Sequence, residues 1–232
     1  MRHLLAAGSC AGRDHVLLER PNQDAYCALE GDWGAVAVVC DGCGSQPHSG
    51  VGARLGACMA AALAARRLEA GGSLDLERLR ADILSRLALI AQAGCLGVQE
   101  HLLFTIVGAA FAGQAAVSTG RATVFACGDG VWAVDGVVRR LGPFPDNCPP
   151  YMAYGLEDTR VGFERLYEGP AGSVLVGTDG AAEADLPPFW SDERYLRNPD
   201  LVRRTLRRNR LADDATVALI IRKDAAEGGL TP

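Results

Sequence analysis

Residues 35–45 read AVAVVCDGCGS, and this stretch, with the segments on either side of it, indicates much of the architecture. Ala35 to Cys40 is short, almost wholly apolar and rich in valine, which predicts a buried strand. The strand ends at Asp41-Gly42, in a turn rich in glycine. A helix is predicted next, over residues 50–68, with Ser49 as its cap. Its predicted apolar stripe, at helical spacing, consists of Val51, Leu55, Cys58, Met59, Ala62 and Leu63.

The remaining pattern alternates between helices and strands. A second amphipathic helix is predicted over 76–93, stopped by Gly94, and a later one from Asn198-Pro199 to about residue 209, with Asn198 as cap. Asp135-Gly136 is typical of a hairpin turn. Strands are predicted over 104–111, 115–118, 122–127, 131–141, 173–177 and 215–222. This order predicts an α+β fold with sheets packed together and helices outside.

Composition excludes several classes of protein. The chain has 232 residues, 49% hydrophobic, which suits a folded globular protein. We expect one catalytic domain over 1–232, with a frayed tail over 223–232. The net charge of −5 argues against nucleic-acid binding. No apolar run reaches the roughly 20 residues of a membrane span, and the start does not resemble a signal peptide.

Eight cysteines are scattered through the chain, mostly in apolar stretches, as buried free thiols are in a reducing cytosol. We therefore expect a cytoplasmic protein. Cys40 and Cys43 form a CxxC pair, which invites a redox or zinc interpretation, but no second pair at matching spacing exists. The arginine-rich run over 203–210 is interpreted as a solvated helix face, with a partner or substrate surface as the alternative.

Aspartates recur where apolar strands end. Asp41, Asp129 and Asp179 each follow a predicted strand and precede glycine, and Asp213-Asp214 precedes the last strand. Any single Asp-Gly pair is explained by a common turn. Several carboxylates delivered to one point by separate strands would repel each other unless cations lay between them. Hard oxygen ligands favour Mg²⁺ or Mn²⁺, and two such ions can activate a water and neutralise a phosphoryl group.

The ordered series of short motifs resembles the type 2C (PPM) metal-dependent Ser/Thr protein phosphatases, and is most similar to their divergent bacterial branch. The matches span residues 12 to 217, and each motif is short. They are Gly12-Arg13-Asp14-His15, Asn22-Gln23-Asp24-Ala25, Val39-Cys40-Asp41-Gly42-Cys43-Gly44-Ser45, Phe104-Thr105, Gly128-Asp129-Gly130, Thr178-Asp179-Gly180 and Asp213-Asp214-Ala215-Thr216-Val217.

The resemblance implies a four-layer α-β-β-α sandwich, with two antiparallel central sheets flanked by helices. It also implies a Mg²⁺- or Mn²⁺-dependent serine/threonine phosphatase that opposes a kinase and hydrolyses phosphoproteins with a water activated by two metal ions. The catalytic residues would be Asp41, Asp179 and Asp213. The metal ligands would be Asp24 (through waters), Asp41, the Gly42 carbonyl, Asp179, Asp213 and Asp214, with Asp129, Asp179 and Glu183 at a looser third site.

The expected phosphate-binding residues are less regular. The arginine that many family members carry before the aspartate matched by Asp24 is displaced here, which leaves Arg20, Arg13 and His15 as candidates. His15 is equally well explained as a structural residue. Cys43 occupies the position of a histidine proposed elsewhere in the family to protonate the leaving group, so His48, five residues later, is a candidate for that role. A catalytically silent binding or regulatory module is the alternative function.

Overall fold

Ten strands form the framework of the molecule in the residues described by this computed structural model, which are 2–71, 73–113, 120–157 and 160–223. The strands are β1 Arg2–Cys10, β2 Ala25–Gly31, β3 Gly34–Cys40, β4 Ile106–Ala112, β5 Arg121–Cys127, β6 Gly130–Val134, β7 Val137–Leu141, β8 Glu164–Pro170, β9 Ser173–Gly177 and β10 Ala215–Lys223. They form two antiparallel five-stranded sheets, ordered β1-β10-β9-β6-β7 and β2-β3-β4-β5-β8.

Helices cover the outer faces of both sheets. They are α1 Arg13–Leu17, α2 Ser49–Glu69, α3 Leu76–Gly94, α4 Val98–His101, α5 Pro187–Ser191, α6 Arg194–Arg197 and α7 Asp200–Asn209. Helix α2 packs on β2 and β3 with α3 outside it, and α7 packs on β1. The predicted α-β-β-α sandwich with two antiparallel central sheets is confirmed.

Strand β3 explains why its sequence is apolar without alternation. Ala35, Ala37 and Val39 join the core between the two sheets, whereas Val36, Val38 and Cys40 join the core beneath α2 and α3. All six side chains are fully buried. A strand covered on both faces needs apolar residues at every position, so β3 anchors its sheet rigidly and fixes the point where Asp41 leaves it.

Helix α2 buries a face that only partly coincides with the predicted one. Of the predicted stripe, Leu63 is buried and Met59 packs against the same core, whereas Val51 and Cys58 are exposed. Most of the buried positions are small residues, and a Cβ built on Gly56 would lie 2.1 Å from the Phe104 ring, so only glycine allows this approach. The helix lies so close to the sheet that small side chains fill most of the contact.

Two predicted helix caps are also corrected. Ser49 is the first residue of α2, and its hydroxyl donates to the Cys43 carbonyl at 3.0 Å instead of capping the helix. Asn198 ends α6, and α7 starts after Pro199 with no side-chain cap. The hairpin at Asp135-Gly136 is confirmed, with positive φ at both residues, as a tight turn between strands requires.

Several elements were not predicted individually. These are β1, the polar edge strand β8 and the short helices α1, α5 and α6. The predicted strand over 115–118 and the tail after Lys223 lie outside the described residues. No helix in the described ranges is long and apolar enough to cross a membrane.

Candidate metal centre

A cavity of about 310 Å³ lies where strands from both sheets end. Asp41 follows β3, Asp129 lies between β5 and β6, Asp179 follows β9, and Asp213 precedes β10. Antiparallel sheets present such loops at one end of the sandwich, so four chain segments deliver carboxylates to one space. The lining residues are His15, Asp41, Gly42, Cys43, Gly44, Ser45, Thr105, Asp129, Pro149, Tyr151, Asp179, Asp213 and Asp214.

Asp24 and Asp41 form the deepest part of the cluster. Asp24 is 4% exposed; its Oδ2 accepts a hydrogen bond from Thr178 Oγ1 at 2.8 Å, and its Oδ1 is buried without a partner among the described residues. Burial, reinforced by the charge of Asp214, raises the pKa of Asp24 to about 8. Burial first, then Asp24 and Asp179, raise the pKa of Asp41 well above its usual range.

Asp129, Asp179 and Asp213 lie nearer the mouth. Burial and the charge of Asp179 raise the pKa of Asp129 to about 6, and burial followed by Asp179 also raises the pKa of Asp213. One oxygen of Asp179 accepts from the Gly180 N–H at 2.6 Å, and one oxygen of Asp213 accepts from the Asp214 N–H at 2.8 Å. The second oxygen of each has no protein donor among the described residues, which leaves it available to a ligand.

The cluster fits a bound cation. Four carboxyl groups have raised pKa values because burial and neighbouring carboxylates oppose ionisation, and one buried oxygen of Asp24 has no donor among the described residues. A hard divalent cation would reverse both effects, since it attracts carboxylates and supplies the missing partner. Oxygen donors dominate the lining, which favours Mg²⁺ or Mn²⁺ over softer metals.

Glycines allow the loops to approach each other at this end of the fold. A Cβ on Gly180 would lie 2.1 Å from the Asp214 carbonyl oxygen, so a side chain there would push the Asp179 and Asp213 loops apart. Gly130, the first residue of β6, has a φ of +138°, a conformation that other residues rarely adopt. The glycines after the aspartates therefore have a packing role as well as a turn role.

The family can now be assigned from the match between this chain and known proteins. Residues 11–215 match the model of the family described as protein phosphatase 2C. The chain belongs to that family. The resemblance inferred from the ordered motifs is confirmed at this level. No curated protein matches the sequence significantly.

Solved structures of protein phosphatase 2C type share the fold. A mutant of a bacterial serine phosphatase aligns with a TM-score of 0.65 at 16% identity, covering 96% of this chain and all of the other. The serine/threonine phosphatase Stp1 from Staphylococcus aureus aligns at 0.57 and 16%, over 97% and 96%. RsbX, solved in complex with magnesium, aligns at 0.54 and 13%, over 95% and 96%. At these identities the likeness shows the fold.

Asp214 has a different environment from the other aspartates of this phosphatase 2C chain. It is 3% exposed, and its two oxygens accept hydrogen bonds from the backbone N–H groups of Gly12 at 2.8 Å and Gln23 at 2.7 Å. The His15 Nδ1 atom also lies 2.8 Å from Oδ2. The carboxylate thereby ties the loop before α1, the loop before β2 and the start of β10 together. The predicted metal ligation by Asp214 stays a prediction beside this clamping role, because His15, Asp213 and Asp214 each offer a ligand atom and these atoms lie within 4.8 Å of one another.

We expect Asp214→Asn to lower the free energy of unfolding by about 3 kcal/mol, because one backbone N–H loses its acceptor and faces an amide NH₂ in a buried site. For a chain of this size that corresponds to a fall in Tm of roughly 6–12 °C. Chemical denaturation of the metal-free protein measures the change, with the exposed Asp14→Asn as a control within about 0.5 kcal/mol of wild type. An unaltered denaturation midpoint for Asp214→Asn would show that the clamp contributes nothing.

The predicted phosphate-binding residues are only partly brought together. His15 is buried, lines the cavity and contacts Asp214, so a structural role is present whether or not it also meets phosphate. Arg13 is exposed and pairs with Asp14. Arg20 is exposed and donates to the Gly44 carbonyl at 3.3 Å, beside the cavity but not in its lining.

His48 and Glu183 do not line the cavity either. The His48 ring is exposed and stacks on His101 at 5.1 Å between centroids. Glu183 is exposed at the end of the 3₁₀ turn Gly180–Glu183. The third-site role of Glu183 and the acid role of His48 stay predictions, since the structure does not bring either residue into the cavity lining.

Two residues of the motif series, to which the sequence analysis gave no role, contribute to the site. Thr178 supports the deep carboxylate: its hydroxyl donates to Asp24 and accepts from the Thr216 N–H at 3.0 Å. Its position directly before Asp179 was the available signal. Thr105 lines the cavity, and its N–H donates to the Asp41 carbonyl at 2.8 Å.

Pro149 and Tyr151 also line the cavity, and Tyr151 is packed to 7% exposure, so this residue both lines the site and fills the core beside it. The sequence left the role of the CxxC pair open. Cys40 and Cys43 are free thiols. Burial raises the pKa of Cys40 well above its usual range, which opposes the thiolate that redox chemistry needs.

Proposed function

We propose that this member of the protein phosphatase 2C family is a metal-dependent phosphomonoesterase that acts on phosphoserine and phosphothreonine in proteins. The observation that carries the proposal is a cluster of carboxyls. Asp24, which is buried and has an unpartnered oxygen, adjoins Asp41, which lines the cavity together with four further aspartates, Asp129, Asp179, Asp213 and Asp214. An apolar or hydrogen-bonded filling would stabilise a purely structural site better than uncompensated acids do.

Asp41, Asp179 and Asp213 would hold the ions directly, with the Gly42 carbonyl as a further ligand, Asp24 behind them and Asp129 at a looser site. Bound Mg²⁺ or Mn²⁺ would supply charge neutralisation for a phosphoryl group and would lower the pKa of water. Such a group carries about two negative charges and would otherwise be repelled by this acidic lining.

The chain itself orients these ligands. Thr178 fixes one oxygen of Asp24, the Gly180 N–H fixes one oxygen of Asp179, and the Asp214 N–H fixes one oxygen of Asp213. In each case the other carboxylate oxygen would be free to bind a metal ion. Pre-oriented charge of this kind contributes to catalysis because it does not have to reorganise during the reaction.

The test is hydrolysis of p-nitrophenyl phosphate and of a phosphothreonine peptide, with Mn²⁺, with Mg²⁺ and with EDTA. Asp179→Asn should lower metal-dependent kcat/KM by at least about a hundredfold, since it removes a charged ligand and about 2.7 kcal/mol or more of transition-state stabilisation. Asp32→Asn, an exposed aspartate on the β2–β3 turn, is the matched control and should retain wild-type rates.

Two outcomes would contradict the proposal. Wild-type protein without turnover above the EDTA blank would leave the silent binding or regulatory module as the better function. Equal rates for Asp179→Asn and wild type would show that hydrolysis occurs elsewhere. The whole chain is expected to act as one catalytic unit, on proteins phosphorylated by a serine/threonine kinase.

A further inference from the structure

Three consecutive apolar residues stand exposed beside the acidic cavity. Val16, Leu17 and Leu18 are 63%, 74% and 63% exposed. Isolated apolar side chains on a surface need no explanation, but a consecutive run costs solubility and usually marks an interaction site. The run therefore needs a partner that would cover it.

The apolar run belongs to helix α1 and the residue after it, and the contacts of α1 with the acidic site fix its position. Helix α1 is held by two backbone hydrogen bonds, from the Arg13 N–H to the Leu211 carbonyl at 2.9 Å and from the Asp14 N–H to the Ala212 carbonyl at 3.0 Å. His15, in the same helix, faces inward to line the cavity. The inward face of α1 thus belongs to the acidic site, and the next three residues present an apolar surface at its edge.

A second cavity, of about 250 Å³, continues from this edge. Glu19 adopts a φ of +54°, which turns the chain so that Arg20 donates to the Gly44 carbonyl at 3.3 Å. Ser45 lines both cavities. The lining of the second cavity is Glu19, Arg20, Pro21, Gln23, Ser45, Gln46 and Pro47.

One polar group in the second cavity lacks a partner. Gln23 is 3% exposed, and its Nε2 donates to the Gln46 carbonyl at 2.5 Å and to Ser49 Oγ at 2.8 Å. These bonds fix the amide, but its Oε1 has no donor among the described residues. A buried acceptor without a donor is costly, so the two Nε2 hydrogen bonds hold this corner of the second cavity at the expense of the Oε1 atom.

We propose that the apolar run Val16–Leu18 and the adjoining second cavity dock the polypeptide on one side of the phosphorylated residue. The substrate class is then a phosphoprotein with a large apolar side chain close in sequence to its phosphoserine or phosphothreonine. We choose a peptide substrate as the occupant because the three features adjoin each other. His15, which lines the acidic cavity, directly precedes the apolar run, and Ser45 lines both cavities. The inference rests on the proposed phosphatase function and narrows its substrate.

The test uses phosphothreonine peptides in which one leucine is placed at successive positions around the phosphorylated residue, compared with an all-alanine peptide. The double variant Leu17→Ser, Leu18→Ser should lower the ratio of kcat/KM on the best leucine peptide to kcat/KM on p-nitrophenyl phosphate by about tenfold, mainly through KM. Leu89→Ser, at a residue 62% exposed on α3, is the matched control and should leave the ratio unchanged. Fluorescence anisotropy of labelled peptides gives a readout that does not need turnover.

Each result decides a different question. No leucine preference in wild type, or an unchanged ratio in the double variant, overturns the docking proposal. The docking proposal is also overturned if the double variant changes only the oligomeric state, measured by sedimentation, because a second copy of the chain would then cover the apolar run. Leucine-dependent binding that the double variant abolishes, in a protein that hydrolyses neither substrate, supports docking while the phosphatase proposal fails.

Discussion

Asp41→Asn is expected to reduce metal-dependent hydrolysis of p-nitrophenyl phosphate by about a thousandfold or more, equivalent to roughly 4 kcal/mol of transition-state stabilisation. Asp41 directly follows β3 and adjoins both Asp24 and Asp179. It is therefore the carboxylate best placed to contact two bound cations at once. An amide of the same shape keeps the packing but removes the charge that would hold a cation.

The same substitution should stabilise the metal-free protein. The charged form of Asp41 is opposed by burial and by three neighbouring aspartates, so a neutral amide removes a repulsion that the folded state alone experiences. We expect a rise in the free energy of unfolding of about 1–3 kcal/mol at pH 8, measured by chemical denaturation in EDTA. Loss of activity together with gain of stability separates a functional acid from a structural one.

Asp32→Asn is the control, because it removes an exposed carboxylate and should change neither quantity. Two results would count against this view of Asp41. Full activity in Asp41→Asn would remove it from the catalytic centre. Lost activity accompanied by a lower unfolding free energy would make Asp41 a structural residue, as we argue for Asp214.

The buried strand β3 and the aspartates of the site could be predicted from the sequence, because each depends on residues that are neighbours in the chain. The apolar run of β3 and the aspartates at strand ends are local patterns with a strong physical reason, and the structure places Asp41, Asp129, Asp179 and Asp213 in one cavity. By contrast, the buried face of α2 was predicted only in part, at Leu63 and Met59, because close packing selects alanine and glycine whereas hydrophobicity alone points to the larger side chains.

Asp214 shows a different limit. Its neighbour Asp213 has the same chemistry, and only the fold reveals that the Asp214 oxygens meet the backbone N–H groups of Gly12 and Gln23, about two hundred residues away in sequence. The environment of His48 could not be predicted for a related reason, since its stacking partner His101 is distant in the chain. Long-range contacts of this kind leave no local pattern to read.

The metal-free protein should lose stability as pH rises from 6.5 to 8.5. Asp24 has a folded pKa of about 8, above its usual 3.8, so between these values the folded state holds a proton that the unfolded state has released. Stability rises with pH only where the unfolded state binds more protons, so here it falls. The contribution of Asp24 is complete below about pH 4 and is lost through pH 8, with a slope of at most about 1.4 kcal/mol per pH unit for one proton.

The lower part of this pH window isolates the acidic cluster, because the raised pKa values of the thiols Cys10, Cys27, Cys40 and Cys127 act only as the pH approaches their usual 9.0. The lowered pKa values of the exposed Asp192, Glu193 and Asp200 act below pH 5, and the lowered pKa of buried His3, caused mainly by burial, acts at or below its usual 6.5. Chemical denaturation in EDTA at several pH values measures the slope, and Asp24→Asn should flatten it. A wild-type stability that rises across the window would contradict the raised pKa of Asp24.

Adding Mn²⁺ or Mg²⁺ should reverse the trend, because cation and proton compete for the same oxygens. At a hundred times its Kd, an ion stabilises the folded state by about 2.7 kcal/mol, which raises Tm by roughly 5–11 °C in a chain of this size. The shift should be larger at pH 8 than at pH 6.5, and smaller in Asp41→Asn than in Asp32→Asn. An equal shift at both pH values would place the ion on groups that do not titrate there, and therefore away from Asp24 and Asp41.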